Sequence, residues 1–156
     1  MKKIIYFFIL TFFLSTISFA QEKNIQVIDG DTIHIGKLKY RFFGIDAPET
    51  KQICEKDNIK IQCGVIAKNV LKNKIANKIP ECVVKDKDRY QRLVAECFIG
   101  KESLSRFMVR EGYAVAYSQY SKDFIGDEKY AKENKLGIWS MNFQIPSEYR
   151  KSLRSK

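Results

Sequence analysis

The stretch Val27-Ile28-Asp29-Gly30-Asp31-Thr32-Ile33-His34-Ile35-Gly36-Lys37-Leu38-Lys39-Tyr40-Arg41-Phe42-Phe43-Gly44-Ile45-Asp46-Ala47-Pro48-Glu49-Thr50 sets apolar against polar residues between two turn signals. Alternation with a period of two marks half-buried strands. Asp29-Gly30 and Gly36-Lys37 supply the turns. The reading is a strand over 24–28, a second over 32–35 and a third over 38–45. Gly44 marks a bulge or a close backbone approach. Pro48 has no N–H to give a ladder, so the third strand ends before it.

Downstream, Ala67, Val70, Leu71, Lys74 and Ile75 recur at helical spacing, which predicts a helix over 64–77 closed by Pro80. Strands follow over 82–85 and 93–99. A second helix over 101–111 turns Leu104, Phe107 and Met108 inward and stops at Gly112. A short extended piece covers 113–117, and a third helix covers 126–135. The tail from 142 is basic and reads as loose. Five strands, with helices after the third and fifth, predict an α+β chain, mainly β: a five-stranded OB-fold barrel with three helices.

The first twenty residues stand outside that fold. Lys2 and Lys3 precede an apolar run, and Ser18-Phe19-Ala20 resembles a small-x-small cleavage site. This predicts a signal peptide over 1–20, an exported protein (periplasmic or secreted) and no membrane attachment after cleavage. The domain is expected over 21–141, with the basic tail over 142–156. The chain of 156 residues carries 28 Lys+Arg against 18 Asp+Glu, a net charge of +10. Such a balance suits a polyanionic partner, although lysine-rich composition alone gives the same number. A single histidine, His34, removes two-histidine acid–base pairs and most Ser-His-Asp designs.

Export makes disulfides the default for Cys54, Cys63, Cys82 and Cys97. If 82–86 and 92–98 pair as a hairpin, Cys82 and Cys97 lie opposite each other, which leaves Cys54 with Cys63. A four-cysteine zinc site is the alternative, but the spacings exceed the roughly two to four residues of zinc knuckles.

Three short stretches carry the chemistry: Asp29-Gly30-Asp31-Thr32, Arg41 to Thr50, and Asp88-Arg89-Tyr90-Gln91-Arg92. Alone, each reads as a turn. Together they make one proposal. Asp31 and Asp46 near adjacent strand ends offer two hard carboxylates, which suit Ca²⁺ with a backbone carbonyl and waters. Glu49 lies close enough to hold a water beside the ion. Arg41 and Arg92 supply guanidinium forks that match the charge growing on a phosphodiester in its transition state.

These residues, with Gly137-Ile138-Trp139, resemble the staphylococcal nuclease (thermonuclease) family in order over about 24–140. The resemblance implies an OB-fold and Ca²⁺-dependent cleavage of DNA and RNA, leaving 3′-phosphate ends, by a monomer with no stable protein partner. It places the metal on Asp31, Asp46 and the backbone carbonyl of Ala47. It makes Glu49 the general base, Arg41 and Arg92 the phosphate-binding arginines, and Tyr90 and Tyr117 pocket residues. Gln91 departs from the family, which usually has glycine there. The loop over 51–62 also departs, with its own disulfide. Arg89 is read as outside the site, and His34 as a surface residue.

The main rival is a non-catalytic OB-fold nucleic-acid-binding module. Carboxylates beside a phosphate argue against it. Glu133-Asn134-Lys135 fits the minimal acidic-x-Lys pattern of another nuclease design but falls at a helix end. A secreted structural domain is the third reading, distinguished by an absence of DNA binding at low salt.

Overall fold

The computed structural model describes residues 24–155. The signal peptide expected over 1–20 lies outside the described residues. Among those described, no helix is long and apolar enough to cross a membrane.

The opening meander forms as read. β1 (Ile25–Val27), β2 (Thr32–Ile35) and β3 (Leu38–Phe42) pair antiparallel in sequence. β3 then pairs in parallel with β8 (Leu93–Ile99), which returns antiparallel against β7 (Glu81–Lys87). The sheet order β1-β2-β3-β8-β7 is that of an OB-type α+β fold, although the hydrogen-bonded path stays open between β1 and β7. The long third strand breaks in two: β3 stops at Phe42, and β4 (Ile45–Asp46) joins β10 (Val115–Ala116) as a separate ribbon. β9 (Glu102–Ser103) adds to β8.

Helix α1 (Cys63–Ile75) buries Ala67, Leu71 and Ile75. Helix α2 (Leu104–Arg110) buries Leu104 and Met108, and its cap is the Ser103 hydroxyl, which accepts from the Arg106 N–H at 3.3 Å. Helix α3 (Ile125–Glu133) follows Phe124, itself in the core. These faces meet Ile33, Phe42, Ile45 and Ala95 in one cluster. Each large apolar side chain buried there contributes roughly 1.5–3 kcal/mol.

Both disulfides close as expected. Cys82 and Cys97 are direct partners in the β7–β8 ladder, and Cys54 bonds Cys63. The stretch over 51–62 is more ordered than a loop. β5 (Cys54–Lys56) and β6 (Ile59–Ile61) make a hairpin turned by Asp57 and Asn58, both at positive φ. Asp and Asn tolerate that region better than other side chains, so the signal was legible.

The tail corrects the expectation of looseness. Asn142 exchanges two backbone hydrogen bonds with Glu55, at 2.7 and 2.8 Å. Phe143 and Ile145 pack with Cys54, Cys63 and Ile138 in a second apolar cluster. Pro146 then opens a fourth helix, α4 (Pro146–Arg154), where its missing N–H is harmless.

Candidate active site

Strand register creates the site. Thr32 stands opposite Arg41 in the β2–β3 ladder, and the Phe42 N–H donates to the Asp31 carbonyl at 2.7 Å. Asp31 and Arg41 are therefore neighbours. Beyond Phe42 the chain bends at Gly44, where φ is 72°. A Cβ there would meet the Phe124 ring at 2.7 Å, so glycine answers both the bend and the close approach. The bend brings β4 back, and Asp46 falls beside Arg41.

The two aspartates are almost wholly buried, at 5% exposure for Asp31 and 1% for Asp46. Their charges are matched locally. Asp31 Oδ2 accepts the Ala47 N–H at 2.7 Å, and Oδ1 accepts the Thr32 hydroxyl at 3.1 Å. Arg41 forks between them, with Nη1 on Asp31 and Nη2 on Asp46 Oδ1 at 2.8 Å. Burial lowers the Arg41 pKa, against the pull of Asp46 and Asp29. Asp29 closes the preceding turn by accepting the Asp31 N–H at 3.0 Å. Burial raises its pKa, against the opposing pull of Arg41.

Glu49 is placed by Gln52 and by helix α1. The Glu49 N–H donates to Gln52 Oε1 at 3.3 Å, and the Gln52 N–H donates to the Glu49 carbonyl at 2.7 Å. A Cβ on Gly64 would fall 1.8 Å from that same carbonyl oxygen. Only glycine at the start of α1 lets the Glu49 loop come so near. Gln52, fully buried, also donates to the Gln144 carbonyl at 2.6 Å and so ties this loop to the tail.

Arg92 comes from the β7–β8 hairpin. Asp88 Oδ1 accepts the N–H groups of Tyr90 and Arg92, each at 2.9 Å, and its Oδ2 accepts Arg92 Nε at 2.7 Å. Arg92 Nη1 reaches Thr32 Oγ1 at 3.4 Å, and Thr32 in turn touches Asp31. Gln91 takes φ of 63°, the left-handed slot of a three-residue hairpin loop that glycine usually fills. A side chain there costs about 1–2 kcal/mol. The Asp88 clamp holds the loop in spite of it.

Asp88 carries a pH signature. Burial works to raise its pKa, but the backbone and side-chain hydrogen bonds of Arg92, with that of Tyr90, outweigh burial and hold it below the ordinary value. A depressed carboxylate stabilises the fold above the unfolded pKa of about 3.9, and the benefit fades as pH falls through the folded value. Amide resonances of Tyr90 and Arg92 should therefore titrate together, with a midpoint under that of a free aspartate. Asp88→Asn should remove the titration. A midpoint at or above the free value would contradict the clamp.

The structure thus joins Asp31, Arg41, Asp46, Ala47 and Glu49 in one contact network and connects Arg92 through Thr32. It is the Ala47 N–H that meets Asp31. Tyr90 and Tyr117 line the same cleft, of about 860 Å³. Tyr117 packs against Tyr120 with ring centres 4.9 Å apart and planes tilted by 49°. Arg89, exposed, and His34, half-buried, lie on the rim and wall of this cleft, and the Arg89 guanidinium sits 4.9 Å from the Tyr90 ring.

One residue of the site was not foreseen. Arg150 of α4 donates Nη1 to Asp46 Oδ1 at 3.0 Å, Nη2 to Asp46 Oδ2 at 2.9 Å and Nη1 to Glu49 Oε1 at 2.8 Å. Burial opposes its charge, but the hydrogen bonds to Asp46 and Glu49 prevail and raise its pKa. The Ile145-Pro146-Ser147-Glu148 start and the basic last turn could have announced a helix. Nothing local announced where that helix would dock.

Among the described residues, no three His, Cys, Asp or Glu side chains gather as a ready metal cage. The donor set on offer is the two carboxylates of Asp31 and Asp46, bridged by Arg41. That is hard-oxygen chemistry fit for a Ca²⁺ ion that takes its remaining ligands from water.

The geometry agrees with kinship. Residues 39–141 match the family described as staphylococcal nuclease homologue. A Haemophilus influenzae protein named as an uncharacterized endonuclease is 31% identical, over 96% of this chain and 86% of its own length. A thermonuclease of Staphylococcus hyicus is 34% identical, over 76% of this chain and 75% of its own length. A Rhizobium meliloti protein named for succinoglycan biosynthesis is 33% identical over 73% of this chain. With a match across its central 39–141 and relatives aligned over most of their length, this chain belongs to the staphylococcal nuclease family.

Proposed function

We propose that this protein is an exported, Ca²⁺-dependent endonuclease that hydrolyses phosphodiester bonds of DNA and RNA and leaves 3′-phosphate ends. The observation that carries the reading is the convergence of Asp31, Arg41 and Glu49 on one cleft, with Asp46 buried just behind them and bonded to Arg41. Asp31 and Asp46, with the Ala47 carbonyl, are the residues that would hold the ion. The ion would acidify a bound water and offset charge on the phosphate.

The protein's own groups do the rest. Glu49 takes the proton from the attacking water. Arg41 and Arg92 face the phosphate oxygens, where a planar fork matches the developing charge. Asp88 engages only the Nε of the Arg92 side chain, which leaves the Nη nitrogens for the phosphate. Tyr90 and Tyr117 offer ring faces to the flanking bases. Two disulfides and the basic, apolar N-terminal stretch support export. A binding module would have no use for carboxylates buried next to its phosphate.

The test is digestion of plasmid DNA and of RNA with Ca²⁺ and with a chelator. Cleavage is expected with millimolar-scale Ca²⁺, since two carboxylates alone give modest affinity. Cleavage should cease in chelator, and Mg²⁺ should support little turnover. Undiminished cleavage by metal-stripped protein in chelator would exclude the metal assignment. Tight DNA binding without cleavage under any metal would favour the binding module.

A further inference from the structure

Arg150 lies beyond the matched family region, yet it makes more contacts with the acidic cluster than Arg92 does. Helix α4 is firmly seated to deliver it. The Asn142–Glu55 exchange, the Gln52–Gln144 bond and the packing of Phe143 and Ile145 fix the start of the helix. The Tyr149 hydroxyl adds a contact to the Lys51 carbonyl at 3.4 Å.

Three of the roughly four lone-pair sites of the Asp46 carboxylate are taken. Oδ1 accepts from both Arg41 and Arg150, and Oδ2 accepts from Arg150. Asp46 is 1% exposed, whereas the Arg150 side chain is 31% exposed. An ion that binds Asp46 through Oδ2 must share that oxygen with the Arg150 N–H or displace it. It would also sit within a few ångströms of a like charge in a site with little water to screen it. Arg41 is less able to yield, because it also holds Asp31 and is enclosed by β2 and β3.

We propose that Arg150 is a built-in occupant of the cation site: guanidinium and divalent ion compete for Asp46, so metal loading and the docking of α4 oppose each other. This rests on the nuclease reading, in which Asp46 is a metal ligand. In the metal-free protein Arg150 neutralises Asp46 and Glu49 and closes that end of the cleft. Loading releases Asp46 and opens the α4 side, where Arg154 also lines the wall. Linkage is reciprocal, so whatever Arg150 takes from Ca²⁺ affinity, Ca²⁺ takes from α4 docking.

The experiment titrates CaCl₂ calorimetrically into the protein without nucleic acid. It compares wild type, Arg150→Gln, Arg150→Ala and Arg154→Ala. Both Arg150 variants should bind Ca²⁺ about five- to tenfold more tightly, the lower part of the usual coupling range. Arg154→Ala removes the same charge from the same wall without touching Asp46 and should change affinity by about twofold or less, as a screened charge does. A second measurement needs no variant: amide exchange in α4 of the wild type should speed up when Ca²⁺ is added. Equal or weaker Ca²⁺ binding by folded Arg150 variants overturns the proposal. So does α4 protection that Ca²⁺ leaves unchanged or increases, and this arm decides alone if the variants misfold. Equal binding by all proteins would defeat only the competition, whereas no Ca²⁺ binding by any would defeat the metal reading as well.

Discussion

Arg41→Ala should lower stability by about 3 kcal/mol, the largest structural effect expected of any single substitution in the site. The reason is burial. The Asp31 and Asp46 carboxylates lie in the protein interior, and one guanidinium bridges them. Removing one partner of a buried ion pair leaves the other charge uncompensated, at roughly 3–5 kcal/mol. The lower end applies because Asp46 keeps Arg150, and Asp31 keeps the Ala47 N–H and the Thr32 hydroxyl. In a domain of this size the melting temperature should fall by roughly 10 °C. Arg41→Lys keeps the charge but loses the planar fork, so it should fall between alanine and wild type. Thermal unfolding in chelator measures the effect without interference from bound ions. A melting temperature unchanged in Arg41→Ala would mean that the aspartates do not depend on this guanidinium.

Glu49→Gln should leave the fold and nucleic-acid binding intact while kcat drops by roughly 10²–10⁴, the usual contribution of a general base. The substitution is nearly isosteric. Glutamine keeps an oxygen that can accept from Arg150, and the backbone bonds to Gln52 do not involve the side chain. What disappears is the capacity to take a proton. Steady-state kcat and substrate affinity, measured together at saturating Ca²⁺, separate this from a loss of binding. A kcat within about tenfold of wild type would remove Glu49 from the role of base. Arg92→Lys offers a comparison on the phosphate side, where losing one donor of this kind costs roughly 10²–10³ in rate.

The parts of the fold that were legible share a property: their signal is local. Asp29-Gly30 and Gly36-Lys37 turned the meander where expected, because a tight turn demands particular φ values from a few adjacent residues. The α1 pattern of Ala67, Leu71 and Ile75 buried the face that it should. Cys82 and Cys97 met because antiparallel register puts equidistant residues opposite each other. The break of the third strand was half legible: Gly44 marked it, but the length of β3 was overread, since alternation continues through Ile45. The hairpin of β5 and β6 was missed despite Asp57-Asn58. Its strands are three residues each, too short for a period of two to stand out.

For the site, the ordered motifs were enough to name Asp31, Arg41, Asp46, Glu49 and Arg92 as one constellation, because turn chemistry and acidic or basic residue types are written along the chain. They also determined two disulfides and the α+β class. Only the tertiary structure decided how the charges are shared. It showed that one guanidinium bridges two buried aspartates, that Asp88 holds Arg92 Nε on the hairpin, and that Arg89 lies on the cleft rim. It also decided that the basic tail is a helix whose Arg150 reaches Asp46 across 104 positions of sequence. Side-chain patterns report which face of an element is apolar. Where two distant elements meet depends on the packing of Phe143 and Ile145 against the Cys54–Cys63 bridge, a contact between residues that carry no mark of one another in the sequence.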